Sequence, residues 1–221
     1  SNPHEEYNRA QVNRRRITEG AGPLTGHNLY VGKNDFLFYG AAIDDFTGNT
    51  TLDSRTLTKL SEMMNARDEW ARERGIALYL VICPDKSTVY SDYVPDKIAS
   101  ANKTAADLAV EELSQNSTVR VIDLREPLIA ARDEYGDSLY YKYDTHWNNL
   151  GAYIGSERLV NALGYDFTPL EYVEIEDRHT GSYDLARLIH LGSTLNDCPN
   201  YVISGYTPHP METVPEDNGK V

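Results

Sequence analysis

The chain has 221 residues, enough for one α/β domain of ordinary size, and its 40% hydrophobic and 25% charged residues are typical of a globular protein. Its 34 acidic residues against 21 lysines and arginines give a formal net charge of −13. Because nucleic acid and anionic membranes bind positive surfaces, this charge argues against both as partners and favours a neutral carbohydrate or a small molecule.

The amino-terminal segment, residues 1–26, is polar and contains Arg14–Arg16 followed by two glycines, which is typical of a leader or linker. The chain begins at Ser1 rather than at methionine, and we expect a signal or anchor to have been removed ahead of it. Residues 27–221 are then interpreted as one domain. No apolar run reaches the roughly 18 residues that a membrane-spanning helix needs.

The first predicted element is a β-hairpin. Leu29–Val31 and Phe36–Tyr39 are apolar runs on either side of Gly32–Asp35, a segment with turn-forming residues. Residues 44–52 contain Gly48 and Asn49 and are predicted to form a loop.

An amphipathic helix is predicted over Ser54–Arg74, where apolar residues recur at helical spacing, and Gly75 ends it. The continuous apolar run Ile76–Ile82 is typical of a central strand that is covered on both faces. Cys83 ends this run and is interpreted as a buried residue; its pairing with Cys198 is left open.

Further elements follow in alternation. A helix over Ala101–Leu113, a strand over Val119–Asp123 and a helix beginning near Glu126 predict a parallel sheet with helices on both faces, that is, a three-layer α/β/α fold. Asn148 or Asn149 is expected to cap the next helix, which runs to Leu163. Weaker signals predict an edge strand near Glu171–Ile175, a short helix over Tyr183–Leu191 and a strand near Val202–Ile203.

The segment most suggestive of chemistry is Asp144-Thr145-His146. Residues two apart in an extended segment project to the same side, so the carboxylate and the imidazole can converge. Such a carboxylate fixes the histidine tautomer and stabilises the protonated ring, which a general base needs. Two alternatives stay open from spacing alone: a surface loop anchored by Trp147, and a metal site that would need one more ligand.

Four strings in the chain, in the same order, carry a family resemblance. YYKYDTHWNNLGAY (140–153) resembles the Asp-x-His-Trp-Asn signature of the SGNH-hydrolase-like acetyltransferases of the alginate O-acetylation type. LYVGKNDFLFYG (29–40), LVICPDKSTVYSDYVP (80–95) and GSYDLARLIHL (181–191) resemble the opening hairpin, the strand and lysine-containing loop, and the later Gly-Asp-Leu-Ala segment of that family. The resemblance implies a flavodoxin-like SGNH fold, incomplete at the carboxyl end.

The resemblance further implies that Asp144 and His146 are the acid and base of a Ser-His-Asp triad. The family's serine follows them in a Gly-Asp-Ser segment after a later strand. The chain's own Gly136-Asp137-Ser138 precedes the motif and is interpreted as a turn. We therefore expect the nucleophile to lie beyond Val221 and this fragment to be inactive. Ser87, Ser182 and Ser193 are weaker candidates for that role.

Four residues are expected to bind substrate: Lys86 and Tyr90, which lie in the loop after the first predicted central strand, and Trp147 and Asn148 of the Asp144 motif. For Lys86 and Tyr90 the alternatives are a solvated lysine and a packing tyrosine. Trp147 can instead wedge the motif against the core, and Asn148 can act as the helix cap.

The implied function is O-acetylation, or removal of acetyl groups, on a cell-surface or secreted polysaccharide. The implied protein is extracytoplasmic, needs no metal or other cofactor, and receives acetyl groups from a membrane acyltransferase. The alternative is a non-catalytic carbohydrate-binding or assembly module with the same fold.

Overall fold

A computed structural model describes residues 28–169, 174–177, 183–195 and 201–205. The predicted amino-terminal linker, residues 1–26, lies outside these ranges. The elements, in chain order, are β1 (Leu29–Val31), β2 (Leu37–Tyr39), α1 (Gly40–Phe46), α2 (Ser54–Arg72), β3 (Tyr79–Ile82), α3 (Lys86–Val89), α4 (Ala105–Asn116), β4 (Arg120–Asp123), α5 (Arg125–Tyr135), α6 (Asn149–Ala162), β5 (Glu174–Asp177), α7 (Asp184–Leu188) and β6 (Tyr201–Ser204).

The predicted hairpin is confirmed: β1 and β2 pair in antiparallel fashion, with Leu29 opposite Tyr39 and Val31 opposite Leu37. The expectation of a loop from residue 44 is wrong for its first three positions, because α1 continues the chain directly from β2 as far as Phe46. This helix buries Ile43 in a cluster with Phe36 and Phe38, a tertiary contact that the short sequence pattern did not reveal.

The strands β3 and β4 form a parallel pair, with Leu80 beside Val121 and Val81 beside Ile122. Leu80 and Val121 face a cluster that includes residues of α2 and α4, whereas Val81 and Ile122 face a cluster that includes residues of α5 and α6. Helices therefore cover both faces of the pair, as the alternating element order predicts.

The prediction of a fully covered central strand is wrong in its extent. β3 begins at Tyr79 rather than at Ile76, and all four of its residues are half-buried. Among the described residues β3 pairs with β4 alone, so its other edge is open. Cys83 follows β3 and is exposed rather than buried. Its candidate partner, Cys198, lies outside the described residues.

Helix ends agree with the sequence to within a few residues. Gly75 has φ +70° just after α2, the left-handed conformation expected of a helix-ending glycine. Gly136-Asp137-Ser138 lies in a turn after α5, as predicted. The edge strand predicted near Glu171–Ile175 is present from Glu174 onward as β5, which pairs antiparallel with β6, while residues 171–173 lie outside the described residues. None of the helices described is long and apolar enough to cross a membrane.

Candidate active site

The segment 139–148 forms a tight β-like loop that connects α5 to α6. Tyr140 and Trp147 form an antiparallel bridge, and the Asn148 amide donates to the Leu139 carbonyl at 3.0 Å. The loop is tied to the hairpin, since the Leu37 amide donates to the Lys142 carbonyl at 3.0 Å. Asp144 and His146 therefore lie at the tip of a loop whose two ends are fixed.

At this tip the Asp144 carboxylate and the His146 ring meet. His146 Nδ1 lies 2.6 Å from Asp144 Oδ1, and the same oxygen accepts the His146 amide at 3.0 Å. The two side chains converge as predicted, but through a bend in which the aspartate binds the backbone two residues on, not through an extended strand. Because an ionised carboxylate only accepts hydrogen bonds, Nδ1 carries a proton here.

The two partners differ sharply in exposure. The Asp144 side chain is 13% exposed, whereas the His146 side chain is 73% exposed. Among the described residues none forms a hydrogen bond with His146 Nε2, so this nitrogen faces open space. A buried acid that holds one nitrogen while the other is accessible is the arrangement that a general base requires.

Hydrogen bonding keeps Asp144 ionised. Burial acts to raise the pKa of its carboxyl group, but hydrogen bonds from the Asp184 amide and from the side chain and amide of His146 outweigh burial. The pKa of Asp144 is therefore lowered from its usual value.

Asp184, at the start of α7, is a site residue that the sequence interpretation did not select. Its amide donates to Asp144 Oδ2 at 2.7 Å, and its carboxylate accepts the Thr145 amide at 2.8 Å and the Thr145 hydroxyl at 2.5 Å. The Asp144 loop and the start of α7 thus bind each other through hydrogen bonds in both directions. The resemblance of residues 181–191 to a family segment was the one sequence signal that pointed to it.

Lys86 holds the same loop from another side. Its side-chain ammonium donates to the carbonyls of Tyr141, Lys142 and Asp144 at 3.0, 3.1 and 2.6 Å. The residue is 4% exposed, so the alternative of a solvated lysine is wrong. These contacts are those of a residue that shapes the loop.

The other predicted substrate-binding residues also contact the loop. Tyr90 is fully buried, and its hydroxyl donates to the Gly136 carbonyl and accepts the Leu139 amide. Asn148 caps α6 by accepting the amides of Leu150 and Gly151, as predicted. Trp147 is partly buried and packs against the main core cluster. Their role in binding substrate stays a prediction.

Asp144, His146 and Asp184 also bring potential metal-ligand atoms within 4.8 Å of one another. Asp184 thus supplies the third potential ligand that the sequence left unidentified. In this arrangement His146 Nδ1 and both carboxylates already form hydrogen bonds within the site, so a metal ion would have to displace those bonds.

A cleft of about 490 Å³ opens beside the pair. Its walls come from the end of β2 and α1, from α3 and from α7, and Thr145 and Asp184 connect it to the Asp144 loop. The volume is within the range of small-molecule sites.

Comparison with known proteins identifies the family of the chain. Residues 29–208 match the model of a family described as SGNH hydrolase-like domain, acetyltransferase AlgX. The chain belongs to this family. The match spans the hairpin, the β3–β4 pair and the Asp144 loop, so the AlgX-type resemblance seen in the sequence is confirmed.

Individual relatives point the same way. A Pseudomonas syringae protein described as Probable alginate O-acetylase AlgJ is 26% identical over 146 residues, 65% of this chain and 35% of that protein. The O-acetyltransferase domain of Pseudomonas putida AlgJ is similar in structure, with a TM-score of 0.54, 24% identity and coverage of 80% of this chain and 63% of that one.

A second similar structure is that of Bacillus cereus PatB1 with a sulfonyl adduct. Its TM-score is 0.53 at 15% identity, with coverage of 79% of this chain and 54% of that one. These structural likenesses show an SGNH hydrolase-like fold. The chain spans about a third of the AlgJ sequence and under two thirds of the AlgJ domain.

Proposed function

We propose that residues 27–221 form part of the SGNH-like domain of an extracytoplasmic polysaccharide O-acetyltransferase or acetylesterase. Asp144 orients His146, and His146 removes the proton from a serine that lies outside these 221 residues. The serine attacks the carbonyl of an acetyl donor, and His146 returns the proton to the donor group that leaves. A sugar hydroxyl or water, deprotonated by His146, then attacks the acetyl-serine and releases the serine. The acetyl groups reach the site from a membrane acyltransferase.

The observation that carries this proposal is the 2.6 Å contact between Asp144 Oδ1 and His146 Nδ1, with the rest of the ring exposed. An exposed imidazole that is bonded to a buried carboxylate adds little to the stability of a fold, whereas acyl transfer needs such a pair. Membership of an acetyltransferase family supports the same chemistry.

Two features of the described residues support a nucleophile that lies outside them. Thr145 supplies the only hydroxyl that contacts the His146 ring, and it does so at Nδ1 while donating to Asp184, not at the accessible nitrogen. The open edge of β3 can accept a further parallel strand, which would extend the β3–β4 pair toward the central sheet of a three-layer fold. The carboxyl end of such a strand is where ligands are bound in open α/β sheets.

Serine labelling of two proteins tests the proposal. The 221-residue chain and the full natural protein are each treated with phenylmethylsulfonyl fluoride, and the modified residue is located by mass spectrometry. We expect one labelled serine in the full protein, outside the present residues, together with hydrolysis of p-nitrophenyl acetate that is lost in His146→Ala.

The 221-residue chain should be neither labelled nor active. Labelling of Ser87, or hydrolysis by this chain that depends on His146, would contradict the placement of the nucleophile. A full protein that binds oligosaccharides without labelling or hydrolysis would instead be a carbohydrate-binding module.

A metal-dependent hydrolase is the second candidate, because Asp144, His146 and Asp184 form a potential three-ligand group. Calorimetric titration with Zn²⁺ distinguishes the two. A one-to-one site that disappears in Asp184→Asn and is required for hydrolysis would favour the metal mechanism.

A further inference from the structure

The cleft beside Asp144 and His146 has a charge that restricts its ligand. Among the described residues that line it, Asp85 and Asp184 are the acidic side chains and Lys86 is the only cationic one. An ammonium group has three N–H donors, and Lys86 directs its donors to the three loop carbonyls. A ligand in the cleft therefore meets two carboxylates and a cation whose donors are already used.

Asp85 is the lining carboxylate that is not committed to the loop. Asp85 directly precedes α3, is exposed, and makes no side-chain hydrogen bond that caps this helix. Its partial burial, and secondarily the negative charge of Asp45, raises the pKa of its carboxyl group.

The remaining walls suit a sugar ring. Tyr39 lines the cleft with 42% of its surface exposed, and Leu188 lines it from α7. An aromatic face stacks on the apolar side of a sugar ring, while a carboxylate without an internal donor can accept the ring's hydroxyl or ammonium hydrogens.

On the basis of the proposed function, we propose that this cleft holds an acceptor sugar that bears no carboxylate, and that Asp85 selects against uronate residues. An uncharged or amino sugar gives Asp85 a donor, whereas a uronate places a second negative charge beside it. Two like charges about 4 Å apart at a protein surface repel by about 1–4 kcal/mol, which is enough to lower affinity about tenfold. The acceptor thus differs from alginate, a polyuronate, after which the AlgJ relatives are named.

NMR titration of the 221-residue chain at low salt tests this selectivity. The probes are cellotetraose, a chitosan tetramer and a mannuronate tetramer. We expect the first two to shift resonances of Tyr39 and Thr145, and the mannuronate to bind about tenfold more weakly or less. Asp85→Asn should narrow this difference several-fold, and Asp85→Lys should reverse it.

Asp96→Asn is the matched control, because the Asp96 side chain is 84% exposed and pairs with Lys33 away from the cleft. It should leave the preference unchanged. Equal affinity for mannuronate and cellotetraose, no effect of the Asp85 variants, or binding of none of the three sugars would each overturn the inference.

The two proposals fail separately. A full protein that is inactive but still discriminates sugars through Asp85 would refute acyl transfer alone. An active protein that acetylates mannuronate oligomers as fast as neutral ones would refute the selectivity alone.

Discussion

Replacing Lys86 with methionine should destabilise the protein through the Asp144 loop. Methionine keeps the apolar stem but removes the ammonium group, so the carbonyls of Tyr141, Lys142 and Asp144 lose their buried donor. At about 1 kcal/mol net for each hydrogen bond, the loss in the free energy of unfolding is about 3 kcal/mol. For a domain of this size that corresponds to a fall in Tm of about 6–12 °C.

Urea denaturation and thermal melting of the 221-residue chain measure this change. Lys59→Met is the matched control, because Lys59 is exposed on α2 and its replacement should alter the free energy of unfolding by no more than about 0.5 kcal/mol. If Lys86→Met is as stable as Lys59→Met, the ammonium group does not hold the loop, and the account of Lys86 as a residue that shapes the site is refuted.

Three further predictions concern the same loop. Because the pKa of Asp144 is lowered in the folded state, its ionised form adds stability above the ordinary carboxyl pKa. The natural chain should therefore have a higher free energy of unfolding in urea than Asp144→Asn, and this difference should shrink as pH falls from about 5 toward 2. In α6, a methyl group at Gly151 would lie 2.3 Å from the Leu139 carbonyl oxygen, whereas at Gly155 it would make ordinary contacts from 3.5 Å. Gly151→Ala should cost about 1–3 kcal/mol in thermal unfolding, and Gly155→Ala should be neutral or stabilising. Asp184→Ala in the full natural protein should lower kcat about tenfold or more with little change in KM. Asp184→Asn keeps an acceptor for the Thr145 amide and should recover part of the loss. An equal fall of kcat in both variants would argue that the charge of Asp184 matters, and not its hydrogen bond to the loop.

Local structure was predictable where neighbouring residues alone decide it. The hairpin around Gly32–Asp35, the cap at Asn148 and the left-handed Gly75 each depend on a few consecutive residues. The same holds for the meeting of Asp144 and His146, since two residues so close in sequence need only one bend to bring their side chains together. Membership of the acetyltransferase family could also be inferred from such short strings.

Other features depend on segments that are distant in sequence. Lys86 reaches carbonyls 55 to 58 residues away, and the Asp184 amide meets Asp144 across 40 residues. From the sequence, a lysine in a loop is expected to be solvated. Sequence does not show that three buried carbonyls lie close enough to accept its hydrogen bonds. Likewise Cys83 is exposed although it follows an apolar run, because burial depends on packing between distant segments.

The sequence by itself thus determined that Asp144 and His146 meet, the family of the chain and most of the helices and strands, because these arise from contacts between near neighbours. The tertiary structure decided which side chains hold that pair and which charges line the cleft beside it. Both depend on packing between distant segments, whose energies are set by burial and hydrogen-bond satisfaction rather than by residue spacing.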